Sequence, residues 1–198
     1  MTKLLTLLCA AFLTLMFQGC ANTVKYGDAT RAETIETEVG VSELQLATQK
    51  LVAKMLDYPL VKDKYANQRP TIAVDPITNH THSPIDTGPM TAIIFEKLTS
   101  SGHFRFADQE QVRTSREQAG NALDYGATTP EAAQVIAGQV NADLVFYGSL
   151  VEIIRIKPTH KETYYRVNLQ LFDSEHTKLI WQDEHEILKS QREAIYGI

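Results

Sequence analysis

Cysteine is nearly missing from this chain. Cys9 and Cys20 are the only two among 198 residues, and both sit at the amino-terminal end. Once an amino-terminal segment is removed and Cys20 is taken, no pair remains to form a disulfide, even in an oxidising compartment. Positive charge is also short: 19 Lys and Arg against 24 Asp and Glu give a net charge of −5. That balance lacks the basic stripe by which nucleic-acid binders are recognised. Long apolar runs are missing too. The longest before the centre of the chain, Leu4 to Phe17, falls short of the roughly 20 residues a bilayer span needs. There is no internal repeat, G-x-S-x-G elbow, H-E-x-x-H, P-loop or Gly-rich dinucleotide turn, which excludes the common hydrolase, metalloprotease and nucleotide-binding signatures. Residues 21–40 contain no proline, so that stretch is not a stiff spacer.

What is present begins at the amino terminus. A single charge at Lys3, the apolar run to Phe17, then Gln18 and Gly19 have the layout of a cleaved export signal. Phe17-Gln18-Gly19-Cys20 resembles a bacterial lipobox, with Phe17 in place of the usual leucine and a bulkier Gln18. The resemblance implies a diacylglycerol on the Cys20 thiol, cleavage before it, and a further acyl chain such as palmitate on the new amino group. Two alternatives stay open: a plain secretory signal cut near Gly19 or Ala21, and a reading of residues 4–17 as a first cytoplasmic helix. Ala21 is not the aspartate that retains lipoproteins in the inner membrane, so the expected location is the periplasm-facing leaflet of the outer membrane. The division is then 1–19 signal peptide, 20–40 flexible tether from lipidated Cys20, and 41–198 globular domain. The tether is polar and threonine-rich, with too little apolar surface to offset its ordering entropy.

The remaining residues are enough for one domain with its own core. Ser42 and Gln45 form a capping box, with Val41 placed to staple onto Leu46. Leu44, Ala47, Leu51 and Met55 recur at helical spacing up to Pro59, and a charged loop runs from Lys62 to Pro70. Thr71–Ile77 reads as a strand in which Pro76 forces either an edge position or the strand's end. The polar loop 79–86 feeds a helix that opens near Thr87 and Pro89 and stops at Gly102. His103–Phe106 is a short strand. Asp108 with Gln111, and Thr129 with Pro130, open two more helices. Asp143–Ile156 reads as a central strand buried on both faces, with Gly148 marking a bulge or a close approach. Tyr165, Val167, Leu169 and Leu171 alternate with polar residues. After a turn at 174–177, Leu179–Glu186 returns with Trp181 inward, and Lys189–Ile198 has no assigned element. The expected fold class is α/β (α+β): a mixed sheet of about five strands with a C-terminal antiparallel hairpin and helices packed on it.

Candidate chemistry is sparse. His80 and His82, with His103 as a distant third, are ligand-like, yet a metal site wants three or four supported ligands, and a solvated loop explains them better. Asp75 and Asp86 could pair for acid–base work, but one suits a turn and the other a helix cap. No catalytic residue, metal or cofactor is therefore assigned, and the chain is not expected to be an enzyme. Tyr147, Tyr164 and Tyr165, with Arg155 and Arg166, are residue types favoured at protein interfaces, though the tyrosines suit a core equally well. The expected partner-binding residues are Asn79, His80, His82, Asp86, Arg155 and Arg166, since binding groups gather on loops held by a rigid scaffold.

Four segments carry a wider resemblance: TIAVDPITNHTHSPID at 71–86, LTSSGHFRFAD at 98–108, PEAAQVIAGQVNADLVFYGSL at 130–150 and VNLQLFDSEHTKLIWQDE at 167–184. In this order they resemble the LpoB family of outer-membrane lipoproteins. The resemblance implies a monomeric regulator of peptidoglycan synthesis, and so of cell shape. It would bind a non-catalytic docking domain of a class A penicillin-binding protein, stimulating glycan polymerisation and cross-linking with no cofactor. The strand–helix–strand pattern is also similar to the secretion lipoprotein CsgG and the amino-terminal domain of TolB. A CsgG-like lipoprotein that oligomerises in the outer membrane is the alternative, but it needs inserted membrane strands of about ten alternating residues. Enterobacterial LpoB has a long proline-rich tether. Here about 20 residues reach at most about 70 Å.

Overall fold

A mixed sheet frames the molecule, and its centre is the apolar run after Asp143. The computed structural model describes residues 39–124, 126–158 and 160–192. The expected signal peptide, Cys20 and the tether up to residue 38 lie outside the described residues. The strands are β1 (Thr71–Val74), β2 (Thr78–His80), β3 (Arg105–Phe106), β4 (Leu144–Lys157), β5 (His160–Asp173) and β6 (Lys178–Arg192). The order is β3-β1-β4-β5-β6, with β2 also paired to β4. Pairs among β1, β3, β4 and β2 are parallel, and β4–β5–β6 form an antiparallel meander. The described sheet thus has six strands where about five were expected, because the start of the loop at 79–86 belongs to β2.

Helices α1 (Val41–Asp57) and α2 (Gly88–Ser101) cover one face; α3 (Gln109–Gln118) and α4 (Pro130–Val140) cover part of the other. Strand alternation explains the division. Ile72, Val74, Leu144, Phe146 and Leu150 join Leu44, Leu51, Met55, Met90, Ile94 and Leu98 in the larger core. Ala73, Val145 and Tyr147 face Val112, Ala133 and Ile136 in the smaller one. Residues of β5 follow the expected period of two: Tyr165, Val167, Leu169 and Leu171 are buried and the residues between them half-buried. Trp181 packs against this core, stacked on Phe146 at 6.3 Å between ring centroids. Two ion pairs fasten α1 to β6: Glu43–Lys189 at 2.6 Å and Lys54–Asp183 at 2.7 Å.

The caps of α3 and α4 follow the sequence reading. Asp108 accepts from the Gln111 N–H and Thr129 from the Ala132 N–H. The cap of α1 does not. The helix starts at Val41, and the Gly40 N–H donates to the Glu43 carboxylate at 3.0 Å. Val41 and Leu46 are both half exposed, so they make no staple, whereas Val39 and Leu44 are both buried in the same core. Those two hold the staple positions once Gly40 is the cap. The expected loop at 62–70 contains a wide helical turn at Leu60–Tyr65, because Val61 and Tyr65, four apart, are buried beneath its lysines. β4 is buried on both faces only in its first half; from Ile154 onward it is exposed. β5 and β6 run longer than the hydrophobic pattern implies, since cross-strand pairing continues past the end of the core. β6 takes in Lys189 to Arg192, part of the unassigned tail, while residues 193–198 lie outside the described residues. At Gly148 a Cβ would sit 2.5 Å from the Asn168 carbonyl oxygen and 2.6 Å from Leu169 Cδ2, so the glycine marks a close approach. The bulge falls elsewhere, at Ile180 of β6, opposite the step from Leu171 to Phe172.

Pro76 separates β1 from β2, having no N–H for the ladder. Asp75 makes the last bond of the series, to Phe146 O at 2.8 Å. Helix α2 then takes over the backbone of Ile77: its N–H donates to Thr91 Oγ1 at 3.2 Å and its carbonyl accepts from Thr87 Oγ1 at 2.6 Å. Pairing resumes at Thr78 with Ser149, four steps after Val74 but three after its partner Phe146. That shift aims the following loop.

Candidate functional site

The expected interface residues divide into two groups. Asn79 knots its own loop: Nδ2 donates to Ser83 O and Ile85 O, both at 3.0 Å, and Oδ1 accepts from the Thr81 N–H at 2.8 Å. Asp86 is exposed and accepts from the Gly88 N–H at 2.8 Å in the turn before α2. His82 reaches 82% side-chain exposure, while its N–H and ring Nδ1 lie 2.9 and 3.1 Å from Glu152 Oε2. Burial pushes the Glu152 carboxyl up, but the bonds from His82 and Tyr165 outweigh it and hold the carboxyl below the ordinary range. These three residues shape the loop and pin it to β4.

His80, Arg166 and Arg155 share the other face of the sheet. Register places His80, Val151, Arg166 and Glu186 side by side across β2, β4, β5 and β6. Residues opposite each other in a ladder project from one face and interact laterally. Arg166 lies 3.1 Å from Glu186 and 3.6 Å from Glu184. Four residues beyond Val151, the Arg155 guanidinium lies 4.9 Å above the Tyr164 ring. Toward β6 this face is open: Glu184, Glu186, Leu188 and Ser190 are exposed. His80 itself is half-buried, and its Nε2 has no hydrogen-bond partner among the described residues. Of the three tyrosines, Tyr147 and Tyr165 are core, and burial pushes the Tyr147 hydroxyl up to about 12. Tyr164 lies on the open face and donates to Glu162 at 2.9 Å.

On the same face, beside His80, lies an anchor that sequence reasoning missed. Asp75 is 1% exposed and bonded to Arg116 and to the Thr128 hydroxyl. Arg116, on α3, also donates to Pro76 O at 3.2 Å, Thr78 Oγ1 at 2.8 Å and Gly126 O at 2.6 Å. One guanidinium therefore clamps the β1–β2 break to α3 and to the loop before α4. Its only sequence signal was a buried-strand aspartate beside a proline. Asp75 and Asp86 consequently have different environments and no shared partner. Two further networks stand apart. Glu162 accepts from Lys157 at 2.6 Å and from Tyr164, with His160 Nε2 at 3.0 Å. Asp173 meets His176 Nδ1 at 3.0 Å and Tyr65 OH at 3.3 Å. Among the described residues, Asp173, Glu175 and His176 form the one group spaced like metal ligands; His80, His82 and His103 do not belong to it.

Comparison with known proteins follows the same outline. The model of the family described as peptidoglycan-synthase activator LpoB matches residues 43–187. None of the curated proteins matches the chain. The C-terminal domain of LpoB from Salmonella enterica superposes with a TM-score of 0.52 at 22% identity, covering 73% of this chain and 98% of that one. The corresponding Escherichia coli domain gives 0.52 at 21%, with the same coverage. The solution structure of Escherichia coli LpoB gives 0.51 at 20%, covering 88% of this chain and 87% of that one. At these identities the structures establish a shared fold.

Proposed function

The chain belongs to the peptidoglycan-synthase activator LpoB family, and from that premise we propose that it binds a class A penicillin-binding protein at a non-catalytic domain and stimulates its glycan polymerisation and cross-linking. The family match over residues 43–187 carries this reading. The chain acts as a regulator: it has no chemistry of its own, needs no cofactor and works as a monomer. Cys20 carries the lipid that tethers it to the outer membrane, with the domain facing the periplasm. The docking surface comprises the 79–86 loop and the open sheet face with His80, Arg155 and Arg166. The geometry supports that choice because an activator acting by contact needs a surface rigid before the partner arrives. Here the loop is internally bonded, and the Arg116 clamp holds β2 at the edge of that face.

The test uses residues 21–198 without lipid, mixed with each class A penicillin-binding protein of the host while lipid II polymerisation is followed. Acceleration of one synthase is the expected result. No acceleration and no binding to any of them would overturn the proposal and turn attention to a lipoprotein that oligomerises.

A further inference from the structure

The β4–β5 hairpin runs past the helices that cover the rest of its face. Ile154 and Ile156 lie on the side of α1, yet they are 38% and 81% exposed. Register explains why. Lys189, bonded to Glu43 in the first turn of α1, is level with Thr163, which pairs with Ile154. Ile156 pairs with Lys161 two residues further out, beyond the start of the helix. Lys161 projects beside Ile156 on this face, while Arg155 and Lys157 project from the opposite face of the same hairpin end. The nearby acid, Glu162, is committed to Lys157, His160 and Tyr164. The tip of an otherwise acidic chain is thus positive and apolar together.

The start of α1 is also where the chain departs toward Cys20. The 19 steps from Val39 back to Cys20 span at most about 65 Å. We infer that the hairpin tip docks on an anionic lipid surface, Ile154 and Ile156 entering the interface while Lys157 and Lys161 meet the headgroups. This rests on the reading of Cys20 as the lipid-bearing residue, which brings the tip within reach of a leaflet. Interfacial binding of this kind combines buried apolar area with electrostatic attraction, and both components are present here.

The experiment uses the chain from residue 20 with Cys20→Ser, so that no acyl chain contributes, and vesicles of phosphatidylglycerol with phosphatidylethanolamine or of phosphatidylcholine alone. Flotation with the anionic vesicles, weakened by salt and absent with phosphatidylcholine, is expected. Ile156→Asp lowers the partition about tenfold and Lys161→Gln about fivefold. Both variants keep the parent's unfolding midpoint and its stimulation of lipid II polymerisation in detergent. No flotation of the parent, or equal flotation of parent and variants, overturns the inference. So does a folded Ile156→Asp chain that no longer stimulates the synthase in detergent, since the tip would then be a protein-docking site. A parent that floats as expected but stimulates no synthase overturns the proposed function and leaves this inference standing.

Discussion

Arg116→Met tests whether the candidate docking face depends on a buried clamp. The substitution keeps the length of the side chain and its packing on α3, but removes the cation beside a carboxylate that is 1% exposed. Asp75 would keep only the Thr128 hydroxyl, and Pro76 O, Thr78 Oγ1 and Gly126 O would each lose a donor. Removing one partner of a buried pair costs about 3–5 kcal/mol, because the remaining charge is left uncompensated. For a domain of this size each kcal/mol lowers Tm by roughly 2–4 °C, so a fall of roughly 10–15 °C is expected. Urea unfolding followed by circular dichroism measures the loss directly. Asp75→Asn in the Arg116→Met background should recover at least about 2 kcal/mol, since no unpaired charge then remains. Stimulation of the synthase, assayed well below the lowered Tm, should fall in the single variant as β2 loses its attachment. A loss under about 1 kcal/mol, or a double variant as unstable as the sum of the singles, would refute the assignment of Arg116 as the clamp.

Gly148→Ala should destabilise by about 3 kcal/mol or more, at the upper end of overpacking costs, because the clash is with the Asn168 backbone of a central strand; denaturant titration checks it. The Glu162 carboxyl is held down at about 2 by bonds from Lys157, His160 and Tyr164. A depressed folded-state value means its stabilisation is complete above the unfolded value near 4.5 and disappears as pH falls toward 2. Melting curves of the parent and Glu162→Gln should therefore converge across that window and stay apart above it. Arg166→Glu, placed opposite Glu186, should reduce synthase binding at least tenfold while costing about 1 kcal/mol of stability at most, read by titration and by urea unfolding. Cys20→Ser should move the protein from the outer-membrane fraction to a soluble or unprocessed pool on cell fractionation.

Local rules were enough wherever the information was local. Thr129-Pro130 and Asp108 with Gln111 cap helices because a side-chain oxygen three residues upstream satisfies an orphan N–H whatever surrounds it. The alternation from Tyr165 to Leu171 depends only on the period of a strand, and so it told which side faces the core. The family resemblance likewise rested on linear segments. Other features had no linear signal. Gly40 displaced the Ser42 cap because Val39 had a core to enter, and only packing reveals that. The β1–β2 break paired Thr78 with Ser149 because α2 threonines received the backbone of Ile77. Arg116 lies 41 residues from Asp75, so their charge pairing exists only once α3 lies beside the end of β1. The six expected interface residues split in the same way. Asn79 and Asp86 bond within their own turns, and such short-range bonds were readable in principle. His82 meets Glu152, 70 residues away, and His80, Arg155 and Arg166 share a face, only through the register of β2, β4 and β5. Residue type and turn chemistry belong to the sequence, whereas which side chains become neighbours is settled by strand register and helix packing.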